Sequence, residues 1–110
     1  MADWGGYPKI YRDVLGRAVF LESDRWRHAI DRHPEMQEHE SLVGEVLRAP
    51  ELVRRSRHEQ TVLVYYRFYG TLFGGKYVAV VMREEGRHGA VLTAYVTDAI
   101  KRGETVWRRD

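Results

Sequence analysis

The chain has 110 residues and no cysteine, with 18 lysines and arginines against 16 aspartates and glutamates, which gives a formal charge of +2 with histidine neutral. That length suits one domain that buries about two thirds of its unfolded surface without covalent staples. The lack of cysteine excludes disulfides, thiolate metal sites and a thiol nucleophile, and no apolar run approaches the roughly 20 residues of a membrane helix. A soluble, cytoplasmic protein with no membrane partner is the expectation.

Net charge this small does not point to nucleic acid, but its make-up is unusual. Lys9, Lys76 and Lys101 are the only lysines, so fifteen of the 18 cations are arginines, whose planar fork suits phosphate.

In chain order, residues 1–16, with Trp4, Gly5, Gly6, Tyr7 and Pro8, lack a sustained period and read as an N-terminal arm, leaving 17–110 as a single α+β domain. The short apolar stretch 17–22 suits an edge strand. Next comes a helix over 23–33, with Ser23 or Asp24 as N-cap and Pro34 as the stop. Trp26, Ala29, Ile30 and His33 fall at i, i+3, i+4 and i+7, one stripe for the core. His28 and Arg32, at i and i+4, share another face, where an imidazole and a fixed cation can address one ligand. A second helix is expected over 36–48, closed by Pro50. The pattern then switches to a two-residue period, with strands over 51–57, 61–69, 76–83 and 90–97 joined by short turn-rich spacers, the mark of antiparallel hairpins. A last helix over 97–102 would start at the cap-plus-acid pair Thr97-Asp98 and end at Gly103. Helices followed by a meander give an α+β layout, the N-terminal helices packed on one face of a four-stranded antiparallel sheet.

Strand alternation puts Lys76 at the mouth of the apolar row Val78, Val80, Met82, and the hydroxyls of Thr93 and Tyr95 on a common face. Tyr66 and Arg67 sit mid-strand on opposite faces. The run Arg54, Arg55, Arg57, His58 can track a phosphate backbone or simply form a solvated strand edge. Plainer roles exist for the others too: His28 as a surface residue, His33 as a core histidine near the proline turn, Arg32 as partner of Asp31 or Glu35. His28 and His33 lie about 140° apart on a helix, and no acidic or histidine group has metal-ligand spacing, so no metal or other cofactor is expected.

The order Trp26-x-His28-Ala29-Ile30-x-Arg32-His33-Pro34-Glu35, then Ala49-Pro50-Glu51, then Lys76-Tyr77-Val78-Ala79-Val80-Val81, then Thr93-Ala94-Tyr95 resembles the phage-associated branch of the barnase, EndoU, colicin and RelE-like nuclease superfamily over nearly the whole chain. The resemblance implies a barnase/RelE-like fold and a metal-independent ribonuclease of toxin type. Carried over by position, the catalytic residues would be His28, Arg32, Lys76 and Thr93, with Tyr95 and His33 as further candidates. Arg54, Arg55, Arg57, Tyr66 and Arg67 would contact RNA. Such an enzyme uses the RNA 2′-hydroxyl as nucleophile, a histidine to move protons and cations to hold charge on the phosphate. A toxin of this kind would be matched by a cognate antitoxin or immunity protein. Two other classes stay open: a non-catalytic module that grips RNA or a protein, and an inhibitor of a protein target, in which the segment near Val106-Trp107 would matter more than His28.

Overall fold

The computed structural model describes residues 6–110. Two short strands come first, β1 (Lys9–Arg12) and β2 (Ala18–Leu21), followed by α1 (Ser23–Arg32), a 3-10 turn (Pro34–Met36) and α2 (Ser41–Arg48). The meander is β3 (Leu52–Ser56), β4 (Val62–Tyr69), β5 (Lys76–Glu85) and β6 (His88–Thr97), and β7 (Gly103–Arg108) follows it. All seven strands form one sheet in the order β1-β2-β6-β5-β4-β3-β7. It is mixed, because β2 runs parallel to β6 while the other pairs are antiparallel.

This corrects the expected four-stranded antiparallel sheet of barnase/RelE-like type. Two strands precede the helices, and a seventh strand stands where the short C-terminal helix ended. Of the stretch read as an arm, residues 1–5 lie outside the described residues, while Lys9–Arg12 is a sheet strand. No helix forms over 97–102, because the Thr97 hydroxyl closes a local turn instead. It accepts from the Ala99 N–H at 3.1 Å and donates to the Ala99 carbonyl at 3.1 Å. Neither Ser23 nor Asp24 caps α1, whose N-cap is Glu22 with no side-chain cap bond.

Two-residue alternation gives the sheet two unlike faces. On one, Leu63, Tyr65, Val78, Val80, Met82, Val91 and Ala94 pack against Trp26 and Ala29 of α1 and Leu42, Val43, Val46 and Leu47 of α2. Each fully buried aliphatic side chain there stabilises by about 1.5–3 kcal/mol. Gly44 sits mid-helix despite its poor helix propensity, because the Tyr11 ring of β1 lies 2.6 Å from where a Cβ would be. The other face buries a smaller cluster of Val64, Tyr66 and Ala79, flanked by Tyr77, Val81, Tyr95 and Ile100.

A polar network ties the strands together below the main core. Buried Asp13 accepts from the Tyr65 hydroxyl at 2.5 Å and from Arg17 Nε at 3.1 Å. Arg17 continues to Glu84 at 2.6 Å, and Glu84 takes Arg55 of β3 at 2.8 Å. Burial and the Asp13 carboxylate push the Tyr65 hydroxyl well above the usual phenol range, so it is a fixed donor.

The segment 98–102 crosses the helix-free face from β6 to β7, four strands away. At about 4.8 Å per strand and 3.3 Å per residue, a flat sheet with these registers separates Thr97 from Gly103 by about 28 Å, while six Cα steps reach at most about 23 Å. The sheet therefore has to twist and curl beneath this strap.

Candidate functional site

The α1 sequence places Arg25, His28, Ala29 and Arg32 at i, i+3, i+4 and i+7, a second stripe beside the one that carries Trp26. Ala29 is buried at the foot of that stripe, and the three polar residues stand above it. His33 follows at the helix C-cap, its N–H donating to the Ala29 carbonyl at 2.7 Å.

The strand below has an exposed edge that α1 meets. β2 covers β6 only at Gly89 and Ala90. Farther along, the Glu35 carboxylate of the 3-10 turn accepts from the Val96 N–H at 3.2 Å, satisfying part of that edge. A register shift opposite Val81/Met82 makes Leu92 an extra residue in β6. Bulges re-aim neighbouring side chains, and here Thr93, opposite Val81, falls on the face away from Val91 and Ala94, at the strand edge beside α1. Arg25, His28, Ala29, Arg32, His33, Leu92 and Thr93 line one pocket of about 330 Å³. The Thr93 hydroxyl is buried with no hydrogen-bond partner.

A second concavity lies on the helix-free face. Arg54 and Arg55 of β3, Arg57 and His58 of the following turn, and Lys101 and Arg102 of the strap surround a cup of about 350 Å³. Its floor is apolar and aromatic: Val62, Val64, Tyr66, Val81 and Tyr95. The Tyr66 hydroxyl accepts from the Lys101 N–H at 3.1 Å, and Arg54 Nη1 donates to the Lys101 carbonyl at 3.2 Å. Desolvation raises the hydroxyl pKa of both Tyr66 and Tyr95, so both stay protonated at neutral pH. No carboxylate lines the cup. Arg55 is held by Glu84 and Glu104 just outside it.

The residues expected from sequence divide between these places. Four of the six catalytic candidates, His28, Arg32, His33 and Thr93, share the α1–β6 pocket. Tyr95 stands between the two concavities: it lines the cup, and its ring lies 5.4 Å from the His33 ring. Lys76 is not in the pocket. It pairs with Asp98 at 2.6 Å, and Thr93 is opposite Val81, about 16 Å along β5 from Lys76. Of the nucleic-acid candidates, Arg54, Arg55, Arg57 and Tyr66 line the cup, whereas Arg67 points to the helix side, donating to the Ala49 carbonyl at 2.6 Å beside Glu45. Arg25 was missed, although its spacing of three from His28 and seven from Arg32 signals it. Lys101 and Arg102 were missed because they were read as helix.

Among the described residues no group of three or more histidine or acidic side chains could hold a metal ion, and no helix is long and apolar enough to cross a membrane. Comparisons with protein-family models, curated proteins and solved structures give no match.

Proposed function

We propose that this protein is a metal-independent endoribonuclease acting in the cytoplasm, with its reaction centre in the α1–β6 pocket. The supporting observation is the meeting of two histidines and two arginines around one space of about 330 Å³. One histidine takes the proton from the RNA 2′-hydroxyl as its oxygen attacks phosphorus. The other returns a proton to the departing 5′-oxygen, so the bond to that oxygen breaks and a 2′,3′-cyclic phosphate remains. Arg25 and Arg32 offset the charge that grows on the phosphate. Lys76 takes no part. DNA lacks the nucleophile and is left intact.

The test is incubation of the purified chain with labelled single-stranded RNA and matched DNA in excess EDTA, with analysis of product ends. Cleavage of RNA alone, with cyclic-phosphate ends, and a loss of at least about 100-fold in His28→Ala or His33→Ala are the expected results. No RNA cleavage, or cleavage indifferent to both substitutions, overturns the proposal. A second reading, RNA binding without cleavage, is favoured by the cup alone, which gathers fixed cations outside the histidine pocket. Binding that survives both histidine substitutions, in the absence of cleavage, would decide for it.

A further inference from the structure

The cup has features that RNA cleavage at α1–β6 does not call on. Arg54, Arg57, Lys101 and Arg102 line it, and none of them forms an ion pair among the described residues. Fixed cations without carboxylates in a concave wall are a demand for an anion. Arg54 makes that demand directional. Its Nη1 is committed to the Lys101 carbonyl, while its Nε is buried and has no partner. What remains for an anion is Nη2, a charged donor of the guanidinium.

The floor asks for something else. Val64, Val81 and the Tyr95 ring offer an apolar, flat base beneath the cations, and a ligand that was only an inorganic anion would leave it unused. A volume of about 350 Å³ is at the small end of ligand pockets, room for one ring system and its charged substituent. Aromatic and aliphatic surface next to arginine is how proteins hold an unpaired nucleobase and its phosphate.

We infer that the cup is a binding site for a nucleoside phosphate, its base against Tyr95, Val64 and Val81 and its phosphate against Arg54 Nη2, with Arg57 and Arg102 closing over it. The chemistry is the same whether that unit is a free nucleotide or one residue of a single strand. The site does not depend on cleavage, since it shares none of the histidines of α1.

Calorimetric titration of the full chain at low salt with AMP, GMP, CMP and UMP tests this, with the corresponding nucleosides and inorganic phosphate as controls. A 2′-O-methyl pentanucleotide, which cannot be cleaved through its 2′-oxygen, represents the strand. At least one nucleotide binds, more tightly than its nucleoside and than phosphate, and Arg54→Ala weakens it at least 10-fold. The Arg57→Ala/Arg102→Ala double variant, which leaves the Arg54 contact to the strap in place, weakens it several-fold, while Lys76→Ala does not change it. A pentanucleotide that binds no more tightly than the nucleotide identifies a free-nucleotide site; one that binds at least 10-fold more tightly, with the same Arg54 dependence, identifies a strand site. Absence of binding by nucleotides and pentanucleotide alike, inorganic phosphate binding as tightly as any nucleotide, or indifference to both arginine variants overturns the inference.

Discussion

On the helix side of the sheet, α1 and α2 cover strand residues such as Leu63, Val78, Val80 and Met82 so fully that none is exposed. On the other side, a five-residue strap covers Tyr66 and Ala79 and leaves an open cup ringed by arginine. Both faces arise from the same alternating strands. The difference lies in what the connections bring: two amphipathic helices supply apolar area, whereas the strap supplies Ile100 and two cations. Cohesion is concentrated on one face, and unpaired chemistry is left on the other and along the β6 edge.

The contrast is open to direct attack. Leu63→Ala empties a fully buried helix-side position and should lower the unfolding free energy by about 3 kcal/mol in urea denaturation. Gly103→Ala attacks the far anchor of the strap, since a Cβ there would lie 2.1 Å from the Arg55 carbonyl oxygen. Such crowding against backbone should cost about 2 kcal/mol and release β7 from β3. Ile100→Ala, on the partly buried strap, should cost only about 1 kcal/mol. Equal losses for Leu63→Ala and Ile100→Ala would erase the distinction between the faces.

Acid sharpens it further. Hydrogen bonds from Arg55 and Arg17 hold the Glu84 carboxyl below its usual pKa. A depressed folded-state pKa contributes stability above the ordinary carboxylate value and loses it as pH falls through the folded value, because the unfolded chain takes up the proton first. Stability should therefore decline from about pH 5 downward, and less steeply in Glu84→Gln, as followed by thermal melting across pH. At the small end, Lys76→Ala should change stability by less than about 0.5 kcal/mol, since its pairing with Asp98 is largely exposed. In the RNA assay the same variant should keep its activity.

Most of the central architecture was legible because it is locally encoded. The alternation in β4 to β6 and the apolar spacing of α1 and α2 announce themselves within a few residues, and the stripe containing His28 and Arg32 put two site candidates on one helix face. What could not be read depends on distant partners. β1 is four residues long and becomes a strand only through pairing with β2. Thr97-Asp98 has the chemistry of a helix cap, but the Thr97 hydroxyl is taken up in a local turn with Ala99 and the chain then goes on to a strand four places away. The β strand formers Thr105, Val106 and Trp107 did carry a signal that the helix reading obscured. Arg67 lies outside both concavities because it is on the helix face, and Lys76 does for a reason of register. Alternation gives a side chain's face but not its height along the sheet, and that height comes from the register with neighbouring strands. The extra residue Leu92, which puts Thr93 on the face opposite Val91, is likewise visible only once β5 and β6 are paired.

The late position of β7 has a consequence for the chain as it is made. β3 lies between β4 and β7, so its outer edge has no partner until the ribosome has passed Arg108. At about 5–20 residues per second, that interval lasts roughly 3–10 s after Arg54 is added. Throughout it, a strand with open backbone donors and acceptors invites a neighbouring nascent chain to dock. Arg54, Arg55 and Arg57 stand on or beside that strand, and like charge on an open edge disfavours pairing between copies. Replacing the three arginines should therefore raise aggregation of newly made chain, read from the soluble fraction after cell-free synthesis.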